Sequence, residues 1–166
     1  MSTTRHLLLD AETINRKLRR MAFEIWERSS EETELTFIGI QQGGLAVAHC
    51  LAAALREVSG IKVEVMPMRL DKRDPVRNPP KLDADLSRKS VVLVDDVANS
   101  GKTLFYALGP LTPFKLRSVL IAVLVDRKHK AFPITPDVVG HALSTTLQDH
   151  IEVEADGDKV LGAYLH

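Results

Sequence analysis

The stretch Val91-Val92-Leu93-Val94-Asp95-Asp96-Val97-Ala98-Asn99-Ser100-Gly101-Lys102-Thr103 constrains this chain more than any other. Four apolar residues in succession fit a strand buried on both faces, the kind found inside a parallel sheet. Two adjacent carboxylates end the strand at about Asp95, and a Gly/Ser/Thr loop opens a helix from Thr103 to about Leu111. Ligands of open parallel sheets bind beyond the carboxyl ends of the strands, and a loop entering a helix offers free N–H groups and a positive dipole end. A phosphate suits that loop. Asp95 and Asp96 suit sugar hydroxyls, directly or through a bound divalent cation. The pattern therefore predicts a site for a phosphorylated sugar.

Three plainer readings compete. A nucleoside-triphosphate P-loop also ends in Gly-Lys-Thr but wants a glycine five residues before Gly101, where this chain has Asp96. A dinucleotide fold wants a G-x-G-x-x-G turn after its first strand; Gly39, Gly43 and Gly44 lie in such a place without that spacing. A merely solvated turn leaves two neighbouring acids to repel each other directly after a buried run, unless something binds them.

The remaining pattern alternates strands with helices. Asp10 caps a helix running to about Ser29, with Ile14, Leu18, Met21, Ala22 and Ile25 as its apolar face. A strand follows at Leu35 to Ile40, a helix at about Leu45 to Glu57, and a second strand at Ile61 to Met68. The segment 69–89 is rich in Pro, Lys, Arg and Asp, which predicts a mobile loop. Another apolar strand runs from Ser118 to Val125, and short extended pieces lie at Asp137 to Val139, Ile151 to Glu154 and Val160 to Leu165. Such alternation predicts an α/β fold, a Rossmann-like, mainly parallel sheet with helices on both faces. With 166 residues, one domain spanning 1–166 is expected. Twenty-two basic against twenty-two acidic residues exclude a global field for nucleic acid. The single cysteine, Cys50, excludes an intrachain disulfide. No apolar run is long enough for a leader or a membrane span, so a cytoplasmic protein with no membrane partner is expected.

The thirteen residues from Val91 resemble the phosphoribosyl pyrophosphate (PRPP) signature of the type I phosphoribosyltransferases. Further segments resemble the PyrR family, regulators of pyrimidine operons that are also uracil phosphoribosyltransferases: Leu9 through Arg28, Ile38 to Leu51, and Ile121 through Pro133. The resemblance implies the type I phosphoribosyltransferase fold, with a small hood at about 126–166. It implies Mg²⁺ as cofactor and transfer of a phosphoribosyl group from PRPP to a pyrimidine base, uracil, giving UMP and pyrophosphate. Asp95 and Asp96 would then hold the ribose and, through it, the metal. Val97-Ala98-Asn99-Ser100-Gly101-Lys102-Thr103 would wrap the 5'-phosphate, and Val139, Gly140 and His141 would lie at the base.

Such a transfer must steady an oxocarbenium-like ribose while a highly charged pyrophosphate departs. Gln41-Gln42-Gly43-Gly44 offers backbone N–H groups to that pyrophosphate. Among the loop cations Lys72, Arg73, Arg77 and Lys81, the reading selects Arg73 as the one that assists departure. Members of the family carry an arginine in the turn where Gly43 stands here, and purine-using relatives carry aspartate at the position of Asn99. The missing arginine, with Ala142 and Leu143 in the hood that offer no side-chain hydrogen bond to a base, frames an alternative, a nucleotide-sensing regulator with weak or no catalysis; Asn99, which does not titrate, tilts the choice towards a pyrimidine, and a purine phosphoribosyltransferase is the third reading. Arg16, Lys17, Arg19, Arg20 and Arg28 give the first helix a basic face that RNA phosphates would suit, although helical ion pairs such as Glu24 to Arg28 explain it as well. Trp26 and its apolar neighbours suit a homodimer or higher homo-oligomer.

Overall fold

The computed structural model describes residues 4–144, 146 and 149–166. Five parallel strands form the main sheet: β2 (Glu34–Ile40), β3 (Lys62–Met68), β4 (Ser90–Ala98), β5 (Ser118–Arg127) and β6 (Val138–Leu143), in the order β3-β2-β4-β5-β6. A smaller antiparallel sheet joins β1 (His6–Leu9), β8 (Lys159–Leu165) and β7 (Ile151–Asp156), in that order.

Two layers of side chains cover the main sheet. On one face lie α1 (Ala11–Arg28) and α2 (Gly43–Val58), whose Ile14, Met21, Ile25, Val47, Leu51 and Leu55 pack with Phe37, Val92, Val94 and Leu124. On the other, Leu104 and Ala107 of α3 (Lys102–Ala107), Leu111 of a short 3₁₀ turn (Gly109–Leu111), and Leu86 meet Ile38, Val91, Leu93 and Val123. Successive side chains of a strand point to opposite faces, so the run Val91-Val92-Leu93-Val94 feeds both cores in turn. Asp10 caps α1, its Oδ1 accepting from Thr13 N at 2.8 Å.

The α/β layering and the alternation of elements match the expectation. Three differences have local causes. Strand β4 runs past the acids to Ala98 because β5 extends beside it and continues the ladder to Ala98 beside Asp126. The C-terminal stretch divides: β6 joins the main sheet beside β5, while β7 and β8 form the second sheet. That second sheet is completed by β1, a strand absent from the sequence reading. His6 to Leu9 shows no alternation and acquires its role only by pairing with β8.

Candidate active site

The ends of β2 and β4 meet the start of α2 at one corner of the sheet. Asp95 is completely buried there and Asp96 partly so. The amide of Asp96 donates to Asp95 Oδ1 (3.0 Å) and that of Val97 to Asp96 Oδ1 (2.8 Å). Across this pair the strand's alternation slips by one residue. Val92 and Val94 belong to the α1/α2 core; beyond the acids it is Val97 that joins that core and Ala98 the opposite one. Asp95 Oδ2 is buried with no partner among the described residues. A buried acceptor left unmet costs about 1–3 kcal/mol. Burial, with the neighbouring Asp96 charge second, pushes the Asp95 carboxyl well above the usual range, and Lys72 opposes this.

The turn Gln41-Gln42-Gly43-Gly44 lies against this pair, and its Gln41–Gln42 peptide is cis. A Cβ on Gly43 would sit 1.9 Å from Asp96 Oδ2, and one on Gly44 would sit 2.7 Å from the Val94 carbonyl oxygen. Both glycines are therefore demanded by the close passage of the turn over β4. The turn separates two open clefts. One, of about 440 Å³, lies between Gln41, Gln42, Gly43 and Asp96 and the tip of the β7–β8 hairpin. The other, of about 400 Å³, lies between Gln41 and Gln42 and the loop residues Arg69, Asp71, Asn78 and Lys81.

That loop is folded onto the site. Its ends are joined by a bridge between Arg69 and Lys81, and Asp71 accepts from the amides of Arg73 (2.9 Å) and Asp74 (3.3 Å) and from Asn78 Nδ2 (2.8 Å). The cation it delivers is Lys72, whose Nζ stands 3.7 Å from Asp95 Oδ1 and 3.9 Å from Asp96 Oδ1. Arg73, selected from the sequence, is exposed and anchored through its backbone instead. Neighbouring side chains in a tight turn diverge, and composition cannot say which of them faces inward.

Beyond β4, Asp95 and the residues from Val97 to Thr103 line a small hollow at the start of α3. Gly101 takes a left-handed φ of 85°, which a side chain would strain, and Lys102 N donates to Ser100 Oγ at 3.3 Å. The Ser100 carbonyl accepts from the amides of Ala131 (2.9 Å) and Phe132 (3.1 Å), tying the loop to the segment after β5. Val139, Gly140 and His141 lie on β6. The carbonyls of Val139 and Gly140 accept from Arg20 Nη2 at 3.0 and 2.7 Å, which ties β6 to α1. His141 is half-buried, and burial, then Lys17, lowers its pKa. The basic face of α1 is thus partly spent within the chain: Arg20 and Arg28 reach β6 and the residue before it, and Arg19 lies 3.8 Å from Glu57. Among the described residues no helix is long and apolar enough to cross a membrane.

A twisted parallel sheet with an acidic strand end, a glycine turn and a small-residue loop gathered at one corner defines the type I phosphoribosyltransferase class. The phosphoribosyl transferase domain profile matches residues 6–156. Proteins called bifunctional protein PyrR are similar over most of their length. That of Gloeothece citriformis is 36% identical over 157 residues, 88% of each chain, and that of Roseiflexus sp. is 36% identical over 163 residues, 90% of this chain and 89% of the relative. The chain belongs to the phosphoribosyl transferase family as a PyrR-like type I member. Among solved structures, the hypoxanthine phosphoribosyltransferase of Trypanosoma cruzi shares the fold, with a TM-score of 0.78, 17% identity and 95% coverage of both chains. A hypoxanthine-guanine enzyme of Bacillus anthracis does so with a TM-score of 0.73, 19% identity, and 95% and 96% coverage.

Proposed function

We propose that this phosphoribosyltransferase joins the 5-phosphoribosyl group of PRPP to uracil. A ring nitrogen of the base bonds to C1 of the ribose as the bond from C1 to pyrophosphate breaks; pyrophosphate leaves with the electron pair, and the base gives its nitrogen-bound proton to solvent. The observation that carries this reading is Asp95 Oδ2, a buried acceptor at the end of β4 that has no partner among the described residues. Asp95 and Asp96 accept from the ribose hydroxyls, the amides from Val97 to Thr103 hold the 5'-phosphate, and those from Gln41 to Gly44 hold the pyrophosphate. Lys72, the loop cation paired with Asp95 and Asp96, assists the departing charge, with Arg73 beside it in sequence.

Magnesium fits the donor set. Two adjacent carboxylates are hard oxygen ligands, and among the described residues no group of three His, Cys, Asp or Glu forms a cage. Mg²⁺ is ordinarily held by one or two carboxylates together with substrate oxygens. Asp95 and Asp96 would hold it with PRPP, and its charge would favour the departing pyrophosphate.

Uracil is supported by Asn99, an amide that does not titrate, and by the PyrR relatives. A second reading, a nucleotide-sensing regulator without turnover, is favoured by the absence of any cationic side chain from Gln41 to Gly44. The deciding experiment incubates the protein with PRPP, Mg²⁺ and uracil, guanine or hypoxanthine, and measures UMP and UMP binding separately. UMP production establishes the first reading. UMP binding without production establishes the second, and turnover of a purine alone overturns the choice of uracil.

A further inference from the structure

We infer that the cleft between the glycine turn and the loop after β3, and not the one beneath the β7–β8 hairpin, receives the pyrophosphate, and that Arg69 and Lys81 are the cations that meet it there. The inference rests on reading Gln41 to Gly44 as the pyrophosphate turn. That turn borders both clefts, and their charges differ. The hairpin-side cleft is lined by the carboxylates Asp96 and Asp158 and by no basic side chain. The loop-side cleft, of about 400 Å³, is lined by Arg69 and Lys81 together with Gln41, Gln42 and Asn78. Its one carboxylate, Asp71, is already engaged, Oδ1 with the amides of Arg73 and Asp74 and Oδ2 with Asn78 Nδ2. An anion carrying several negative charges is repelled by the first set and drawn to the second.

The backbone sets these two cations side by side. Gln41 N donates to the Met68 carbonyl at 2.9 Å, so the turn begins against the residue that precedes Arg69. Arg69 and Lys81 then face each other across an antiparallel bridge, Lys81 N donating to the Arg69 carbonyl at 3.1 Å. Residues paired in this way share a face, with Cβ atoms about 4.5–5.5 Å apart, and like charges directly opposite destabilise the pair. The ion pairs of the intervening loop are those of Lys72 with Asp95 and Asp96 and of Arg77 with Asp74; among the described residues Arg69 and Lys81 have no carboxylate partner. Two unneutralised cations held together beside the turn complement a multiply charged anion. They supply from the loop the positive charge that Gln41 to Gly44 lack.

The test is calorimetric titration of pyrophosphate at constant Mg²⁺, with ribose 5-phosphate titrated in parallel; neither needs turnover. Arg69→Gln and Lys81→Gln should each weaken pyrophosphate about tenfold, the loss of one charge-assisted contact. Both should leave ribose 5-phosphate unchanged, which also shows that each variant is folded. Arg77→Gln removes a loop cation that pairs with Asp74 and does not line the cleft, so it should leave pyrophosphate unchanged. An equal loss in all three variants would reflect the overall charge of the loop and overturns the inference. Unaltered affinity in Arg69→Gln and Lys81→Gln overturns it too and leaves the turn standing. Asp158→Asn should have no effect; tighter pyrophosphate binding there moves the anion to the hairpin side and overturns the choice of cleft. Failure of the unaltered protein to bind pyrophosphate overturns the reading of the turn as well.

Discussion

The ammonium of Lys72 lies 3.7 Å from Asp95 Oδ1, so a charge from the loop after β3 is the direct partner of a carboxylate completely buried at the end of the central strand. A carboxylate out of water is costly unless paired. The loop and the acidic pair thus form one electrostatic unit.

Lys72→Gln should loosen the loop while leaving the sheet intact. The lysine is half exposed, which limits the stability it contributes to less than about 1 kcal/mol. Amide hydrogen exchange should speed up at Arg73 and Asp74, whose amides are held by Asp71 in the same turn. Unchanged exchange there would show that the loop stands without this pair.

Asp95→Asn should raise stability while removing PRPP binding. Because the folded protein holds the Asp95 carboxyl above its usual range, the stabilisation belongs to the protonated form. It is present at low pH and disappears as pH rises through the raised value. At about pH 7 the variant should therefore melt higher than the unaltered protein, and the gap should close as pH falls towards about 4. Melting curves across that window check the sign. The paired variant Asp95→Asn with Asp96→Asn should likewise lose PRPP and keep its fold.

Gly43→Ala and Gly109→Ala should behave oppositely. The first puts a methyl 1.9 Å from Asp96 Oδ2 and 2.6 Å from its Cγ, forcing that carboxylate aside, whereas the second meets nothing within 4 Å. PRPP affinity should fall about tenfold or more for Gly43→Ala, as expected when a charged hydrogen-bonding group is displaced. Gly109→Ala should leave affinity alone and change stability by less than about 1 kcal/mol. Equal affinities in the two variants would remove Asp96 from the site.

The His141 ring should titrate below the usual histidine range, chiefly from burial and secondarily from Lys17 on α1. Lys17→Gln should move its midpoint part of the way back, as followed by the ring proton resonances. A midpoint indifferent to Lys17 would mean that α1 and β6 are not packed as described.

Much of the site was legible because its residues are contiguous. From Val91 to Thr103, buried strand, acids and loop follow one another, so their order in space is their order in the chain. The position of Gln41 to Gly44 beside a ligand corner followed from strand-then-turn-then-helix logic. The reason for its glycines did not, since the atom they avoid, Asp96 Oδ2, lies more than fifty residues away. Arg73 and Lys72 are equivalent in composition, and only the Asp71-centred turn separates them. Arg20, assigned from the sequence to an outward basic face, instead donates to the carbonyls of Val139 and Gly140 on β6, a contact that only the packing of α1 on β6 creates.

The amino-acid sequence by itself determined the alternation of elements, the two-faced burial of the central strand and the chemistry of its acidic end, because these depend on neighbours within a few residues. Tertiary structure alone decided which cation meets Asp95, which face of α1 is spent on β6 and how β1 completes the second sheet. Those outcomes depend on groups brought together across the chain, where register and packing, rather than local preference, set distance.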